Sequence, residues 1–279
     1  MTDRTIGAPG VGGDSPRDTP RMTYRLLSRQ MTVAVVAVLL GLAAVAWAST
    51  VGRALSMGGM VSGLAQVGGG MPASTGGPVF LGMWLVMMVA MMFPAVAPIV
   101  LAHRSVVMRR GDGSLPTVAF VGGYLVVWTV AGLLPLAALL GIWEISAEAA
   151  GERWLGTLAG GVLVVAGAYQ FTAWKTTCLR ACRTPMSFVL THDWGGGSRS
   201  ALRAGLSHGL FCLGCCWALT SVMLVVGLMN LMWMAALTLV FVAEKNWRRA
   251  LGLTRVVGTV LVALGAAVVV QPSILGGIG

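Results

Sequence analysis

Charge is what this chain lacks. Only 10% of its 279 residues are Asp, Glu, Lys or Arg, against about 25% in an ordinary soluble domain. Acidic residues are the scarcer kind, 9 against 19 basic ones. So few ionisable groups cannot clothe a water-soluble domain, and the composition falls in the polytopic membrane class. No nucleophile–base pair and no phosphate-cradling glycine loop stands out, so nothing argues for hydrolytic or phosphoryl-transfer chemistry, and no catalytic residue is assigned. No internal repeat is evident. Disulfides are not the explanation of the five cysteines, because the number is odd and all of them fall on the side where thiols stay reduced.

What the chain has instead is apolar length, with 57% hydrophobic residues. Runs long enough to span a bilayer, roughly 17 to 25 residues, lie at about 31–49, 80–102, 117–141, 154–173, 205–227, 229–243 and 256–271. The sixth is short. An inside N-terminus puts every Lys and Arg except Arg53 and Arg153 in inner segments, as the positive-inside rule requires. The expectation is an all-α, polytopic membrane helix bundle of about seven transmembrane helices, N-terminus inside and C-terminus outside. Residues 1–28 read as a disordered cytoplasmic tail of Gly, Pro, Thr and Asp, and 29–279 as the transmembrane helical domain. The first run is a retained helix and not a signal peptide, since it begins late and runs long. The net charge of +10 is spread over the loops as a topology signal, so no nucleic-acid partner is expected.

Soft donors cluster in the apolar runs. On the second, Met83, Met87 and Met91 lie four apart, and Met88 and Met92 repeat the step one residue on. Helical spacing stacks them on one broad face, and Pro94 and Pro98 should kink or loosen the inner half. On the fifth, His208, Cys212 and Cys216 share a face, with Cys215 beside it. Cys178 and Cys182 follow the fourth run and share a face if that helix continues past the inner membrane surface. The third run carries Pro135 and small residues but nothing chemical. Thiolates, imidazole and thioethers suit copper(I) first and zinc second.

Matching depths places Met91 and Met92 level with Cys215 and Cys216, provided the second and fifth helices touch. The ladder would then run from outer-loop Met57, Met60 and Met71 through Met83, Met87 and Met91 to Cys216, Cys212 and His208, with Cys178 and Cys182 at the exit. Blander readings stand beside this: methionine as packing filler, cysteines as small buried hydrophobes, His103 and His192 as solvated loop residues, and His208 as a helix-end residue. Glu244 and Lys245 read as an ion pair at the inner boundary, Glu144, Glu148 and Glu152 as a solvated helix face, and Gly258 and Gly265 as helix-packing positions.

Three blocks, "MWLVMMVAMMFPAVAP", "YQFTAWKTTCLRACRTP" and "GLSHGLFCLGCCWALTSVMLVVGLMNLMWMAALTLVFVAEK", resemble the bacterial family of predicted metal-binding integral membrane proteins known as domain of unknown function 2182. The resemblance covers about residues 80–250. It implies a multi-pass protein of the bacterial inner (cytoplasmic) membrane with a metal site at the cysteines. A looser similarity of ligand logic links the outer methionines, the Met-x-x-x-Met step and the inner cysteines to small copper transporters, although those have three spans.

The function expected from the residues is copper(I) handling in the lipid bilayer: uptake, transfer, or delivery to a copper chaperone or cuproenzyme. The alternatives are a membrane thiol–disulfide oxidoreductase using the C-x-x-C-C cluster and a metal-independent assembly subunit. Only the metal reading needs Met87 and Met91.

Overall fold

The computed structural model describes residues 19–56, 73–138, 140–141, 152–184, 196–228 and 230–274. Over these the chain is helical, with no strand among the described residues: α1 (Thr19–Ser56), α2 (Ala73–Arg109), α3 (Leu115–Ala131), α4 (Glu152–Tyr169), α5 (Ala173–Arg183), α6 (Gly197–Val226), α7 (Leu231–Asn246), α8 (Ala250–Val270) and a 3-10 turn at Pro272–Ile274. The all-α expectation therefore holds. Helix α1 already runs at Thr19, inside the stretch assigned to a tail. The outer-loop Met57, Met60 and Met71, together with Glu144, Glu148 and His192, lie outside the described residues.

Each apolar run is largely helical over its described residues, the third extending past the end of α3 and the fourth divided between α4 and α5. Among the described residues five helices are long and apolar enough to cross a bilayer, and six if α4 and α5 count as one bent span. The sixth run forms α7, whose 16 residues reach about 24 Å, short of a hydrocarbon core of about 30 Å. Large apolar side chains face outward, among them Val45, Leu134, Leu239 and Val260, as a lipid-facing surface requires.

Glycine sets how closely the helices approach. Helix α6 lies against α3, α4, α5 and α7. Its Gly205 rests on the Phe120 backbone of α3, and a methyl group on Gly209 would come within 2.9 Å of Val127. Helices α4 and α8 meet through Gly160 with Gly265 and Gly167 with Gly258, where an added Cβ would lie 2.7–3.0 Å from the facing carbonyl oxygen or amide nitrogen. The packing role expected for Gly258 and Gly265 is the one they have.

The prolines of α2 do not interrupt it; the helix is continuous through Pro78, Pro94 and Pro98. Pro94 has no N–H for the carbonyl of Ala90. The Trp47 indole of α1 donates to that carbonyl at 3.1 Å, so the buried acceptor is satisfied from a neighbouring helix. The fourth run does break. The amides of residues 170 to 172 bond three residues back, at 3.0–3.1 Å. Thr172 is extended and caps α5 by accepting from the Lys175 amide at 3.2 Å. The chain turns by 64° there.

Candidate metal centre

Cys212, Cys215 and Cys216 stand at i, i+3 and i+4 of α6, so one helix face carries all three. They are 0%, 1% and 0% exposed, and their sulfurs all lie within 4.8 Å of one another. The Cys215 and Cys216 Sγ atoms are 3.3 Å apart, and the Cys215 thiol donates to the Cys212 carbonyl at 3.2 Å. All five cysteines are free thiols.

The bend between α4 and α5 brings the other two cysteines to this cluster. Sequence spacing placed Cys178 and Cys182 on a continuing fourth helix, at the exit. In the structure Cys182 Sγ is 3.8 Å from Cys215 Sγ. Cys178 packs over Gly214, where an added Cβ would come within 2.7 Å of its sulfur. The glycine in "CLGCCW" is the space that a sulfur of α5 occupies. The Tyr169 hydroxyl donates to the Gly214 carbonyl at 2.6 Å and fixes the end of α4 to the same turn.

Cys212 has the richest polar surroundings. Lys245 Nζ of α7 donates to its Sγ at 3.0 Å and approaches Met92 Sδ at 3.8 Å. The Tyr124 hydroxyl of α3 is 3.2 Å from the same Sγ. Lys245 is 6% exposed, so this is an ammonium at a sulfur in the interior of the bundle.

Its neighbour Glu244 faces elsewhere. Lys175 Nζ donates to Glu244 Oε2 at 2.7 Å, and Thr254 Oγ1 donates to Oε1 at 2.9 Å. The expected Glu244–Lys245 pair is therefore corrected: consecutive helical residues point about 100° apart, and each charge finds its own partner. A buried charge needs such a partner because solvation is unavailable.

Of the expected donors, the structure gathers Cys212, Cys215, Cys216 and Cys182, with Cys178 alongside and Met92 reached through Lys245. Met88 and Met91 are buried in the core, 1% and 0% exposed. Met83 and Met87 line a separate cavity of about 350 Å³ with Ser49, Arg53 and Trp84. The assumed packing of α2 on α6 is replaced by another arrangement: α2 lies chiefly against α1, α3 and α7, and α6 chiefly against α3. His208 lies one turn before Cys212, buried, with the Phe120 and Tyr124 rings at centroid distances of 6.1 and 6.0 Å. It is outside the three-sulfur group. His103 is not a solvated loop residue. It is 0% exposed in α2 and stacks on Phe120 at 4.7 Å.

Sequence reasoning missed Lys245 and Tyr124 as neighbours of Cys212, and Lys175 as the buried partner of Glu244. For the lysines a signal existed, since a basic residue within or beside an apolar run is costly and marks function or pairing. For Tyr124 the third run offered none.

Sulfur donors with a fixed cation suit a soft monovalent ion, whose thiolate complexes are anionic. Searches among curated proteins and solved structures find no match. The sequence model of a family described as PpoB2, copper chaperone, matches residues 81–268, a stretch containing every cysteine and α2 from its outer methionines onward. That match covers well over half of the chain, which belongs to the PpoB2 copper chaperone family.

Proposed function

We propose that this chain is a membrane-embedded copper(I) chaperone of the bacterial inner membrane, with the N-terminus inside and about seven crossings if the bent α4–α5 pair and the short α7 each count as one. Copper(I) is its cargo. The observation that carries the reading is the buried cluster of Cys212, Cys215 and Cys216 with the Lys245 ammonium 3.0 Å from Cys212. Copper(I) held by two thiolates has a net charge of −1, and one ammonium beside it makes the unit neutral, which a low-dielectric interior demands.

Met83 and Met87 receive the ion at the larger cavity, and Met88, Met91 and Met92 carry the thioether path inward along α2. Thioethers suit the oxidising side because they are neutral and form no disulfides. Two of Cys212, Cys215 and Cys216 hold the ion as thiolates with the third a neutral thiol beside it, Cys178 and Cys182 complete or exchange its ligands, and His208 borders the site one helical turn before Cys212. A copper chaperone or cuproenzyme receives it.

The test is metal content. The protein is purified in detergent under reducing conditions, loaded with copper(I), and measured by mass spectrometry beside a Cys212→Ser/Cys215→Ser/Cys216→Ser variant. Near-stoichiometric copper, lost in the variant, is the expected result. Absence of metal from both overturns the reading, and a titratable disulfide without metal transfers the site to thiol–disulfide exchange.

A further inference from the structure

A second cavity, of about 170 Å³, lies between α2, α5, α6 and α7, with Pro98, Cys182, Arg183, His208, Lys245 and Asn246 among its lining residues. It is graded from solvent to core. Asn246 and Pro98 are exposed and Arg183 half-exposed, whereas Cys182, His208 and Lys245 are buried. Its floor is the edge of the metal centre: Cys182 Sγ is 3.8 Å from Cys215 Sγ, and Lys245 Nζ is 3.0 Å from Cys212 Sγ. Its charge is of one sign. Lys245 and Arg183 both line it, and no acidic side chain does among the described residues.

We propose that this cavity binds a small thiol bearing a carboxylate, of the size of cysteine, which takes copper(I) from the centre by ligand exchange at Cys182. The proposal rests on the copper(I) function argued above. Size, charge and position each carry part of it. A cavity of about 150 Å³ holds benzene, so this one accommodates a ligand of roughly seven or eight non-hydrogen atoms.

Arg183 donates one N–H to the Trp247 carbonyl at 2.6 Å. A guanidinium has five such hydrogens, and among the described residues no other acceptor takes them, so they can meet a carboxylate at the mouth. The thiol end then reaches Cys182. In the first exchange the incoming sulfur bonds to copper(I), the copper–Cys182 bond breaks, and the incoming thiol's proton passes to the Cys182 sulfur; the remaining copper–cysteine bonds are then replaced one at a time by donor atoms of the acceptor, each freed thiolate taking up a proton from the medium. Copper stays monovalent, and no electron moves.

The experiment follows the rate at which copper(I), loaded on the detergent-solubilised protein, appears on a chromogenic copper(I) indicator. Three additives are compared: L-cysteine, cysteamine, which lacks the carboxylate, and L-serine, which lacks the thiol. Cysteine accelerates transfer along a saturating curve, cysteamine requires on the order of tenfold more for the same rate, the worth of one charge-assisted contact, and serine has no effect.

Arg183→Gln raises the half-saturating cysteine concentration about tenfold while the copper content and the cysteamine response stay as they were, and Arg183→Lys restores most of the loss. A rate linear in thiol, or equal responses to cysteine and cysteamine with no effect of Arg183→Gln, overturns the proposal while leaving the copper reading intact. Failure of the protein to load copper overturns both.

Discussion

Lys245→Met is the most direct perturbation of the centre, because it removes a charge and keeps an unbranched side chain of similar length. The ammonium stands 3.0 Å from Cys212 Sγ in wild type. With the effective dielectric of about 20 that suits buried sites, a full ammonium–thiolate pair at that separation is worth about 5.5 kcal/mol. The negative charge of a two-thiolate copper(I) unit is shared between its sulfurs, so, measured against an empty centre whose Cys212 is a neutral thiol, roughly half of this, about 3 kcal/mol, is gained on binding. At about 1.4 kcal/mol per decade, the copper(I) Kd rises on the order of 100-fold.

Titration against a competing copper(I) chelator reads that change, with thermal unfolding in detergent as the control for folding. Lys245→Arg retains the charge and most of the affinity. Added salt changes little, since a pair this deep is poorly screened. A folded Lys245→Met protein that binds copper(I) within about threefold of wild type refutes the electrostatic argument.

Three further perturbations test the surroundings. Glu244→Gln strands the Lys175 ammonium, now 2.7 Å from its carboxylate, and should cost about 3–5 kcal/mol, read as a lower Tm; Lys175→Met/Glu244→Leu should recover most of it, and a double variant no better than the single one contradicts the assignment. Gly214→Ala places a Cβ about 2.7 Å from Cys178 Sγ, costs about 1–3 kcal/mol by overpacking, and should speed alkylation of Cys178 as followed by mass spectrometry. Met83→Leu/Met87→Leu removes the thioethers at the larger cavity and should slow copper(I) loading in stopped-flow experiments while leaving the equilibrium Kd unchanged, because the sulfur cluster is untouched.

How much of this was legible in the sequence depends on the range of the interaction. Cys212, Cys215 and Cys216 share a face because helical periodicity is local, and the methionine steps of α2 read off the same way. The packing glycines at 258 and 265 were legible because small residues in an apolar run have few other uses.

What periodicity could not supply is which helix meets which. Equal depth suggested that α2 touches α6, but glycines 205 and 209 draw α6 onto α3, and Lys245 of α7 connects Met92 with Cys212 instead. Tyr124 became part of the site by that packing. Glu244 and Lys245 looked like partners because adjacent opposite charges suggest pairing, although neighbours on a helix diverge. Cys178 and Cys182 were placed on the right face of the wrong helix. The tight turns at residues 170–172 and the Thr172 cap end α4 and begin α5, and no proline marks that break.

The tethering of α5 has a mechanical consequence. Near its start Lys175 holds Glu244, and at its end Arg183 holds the Trp247 carbonyl, so α5 is clamped at both ends to α7 and the residue that follows it. Cys178, Cys182 and Lys245 therefore keep fixed positions relative to one another, and they face the side of α6 that bears Cys212, Cys215 and Cys216. An ion seated there would be gripped by sulfurs from two separately anchored helices, so no single helix has to supply its whole ligand set.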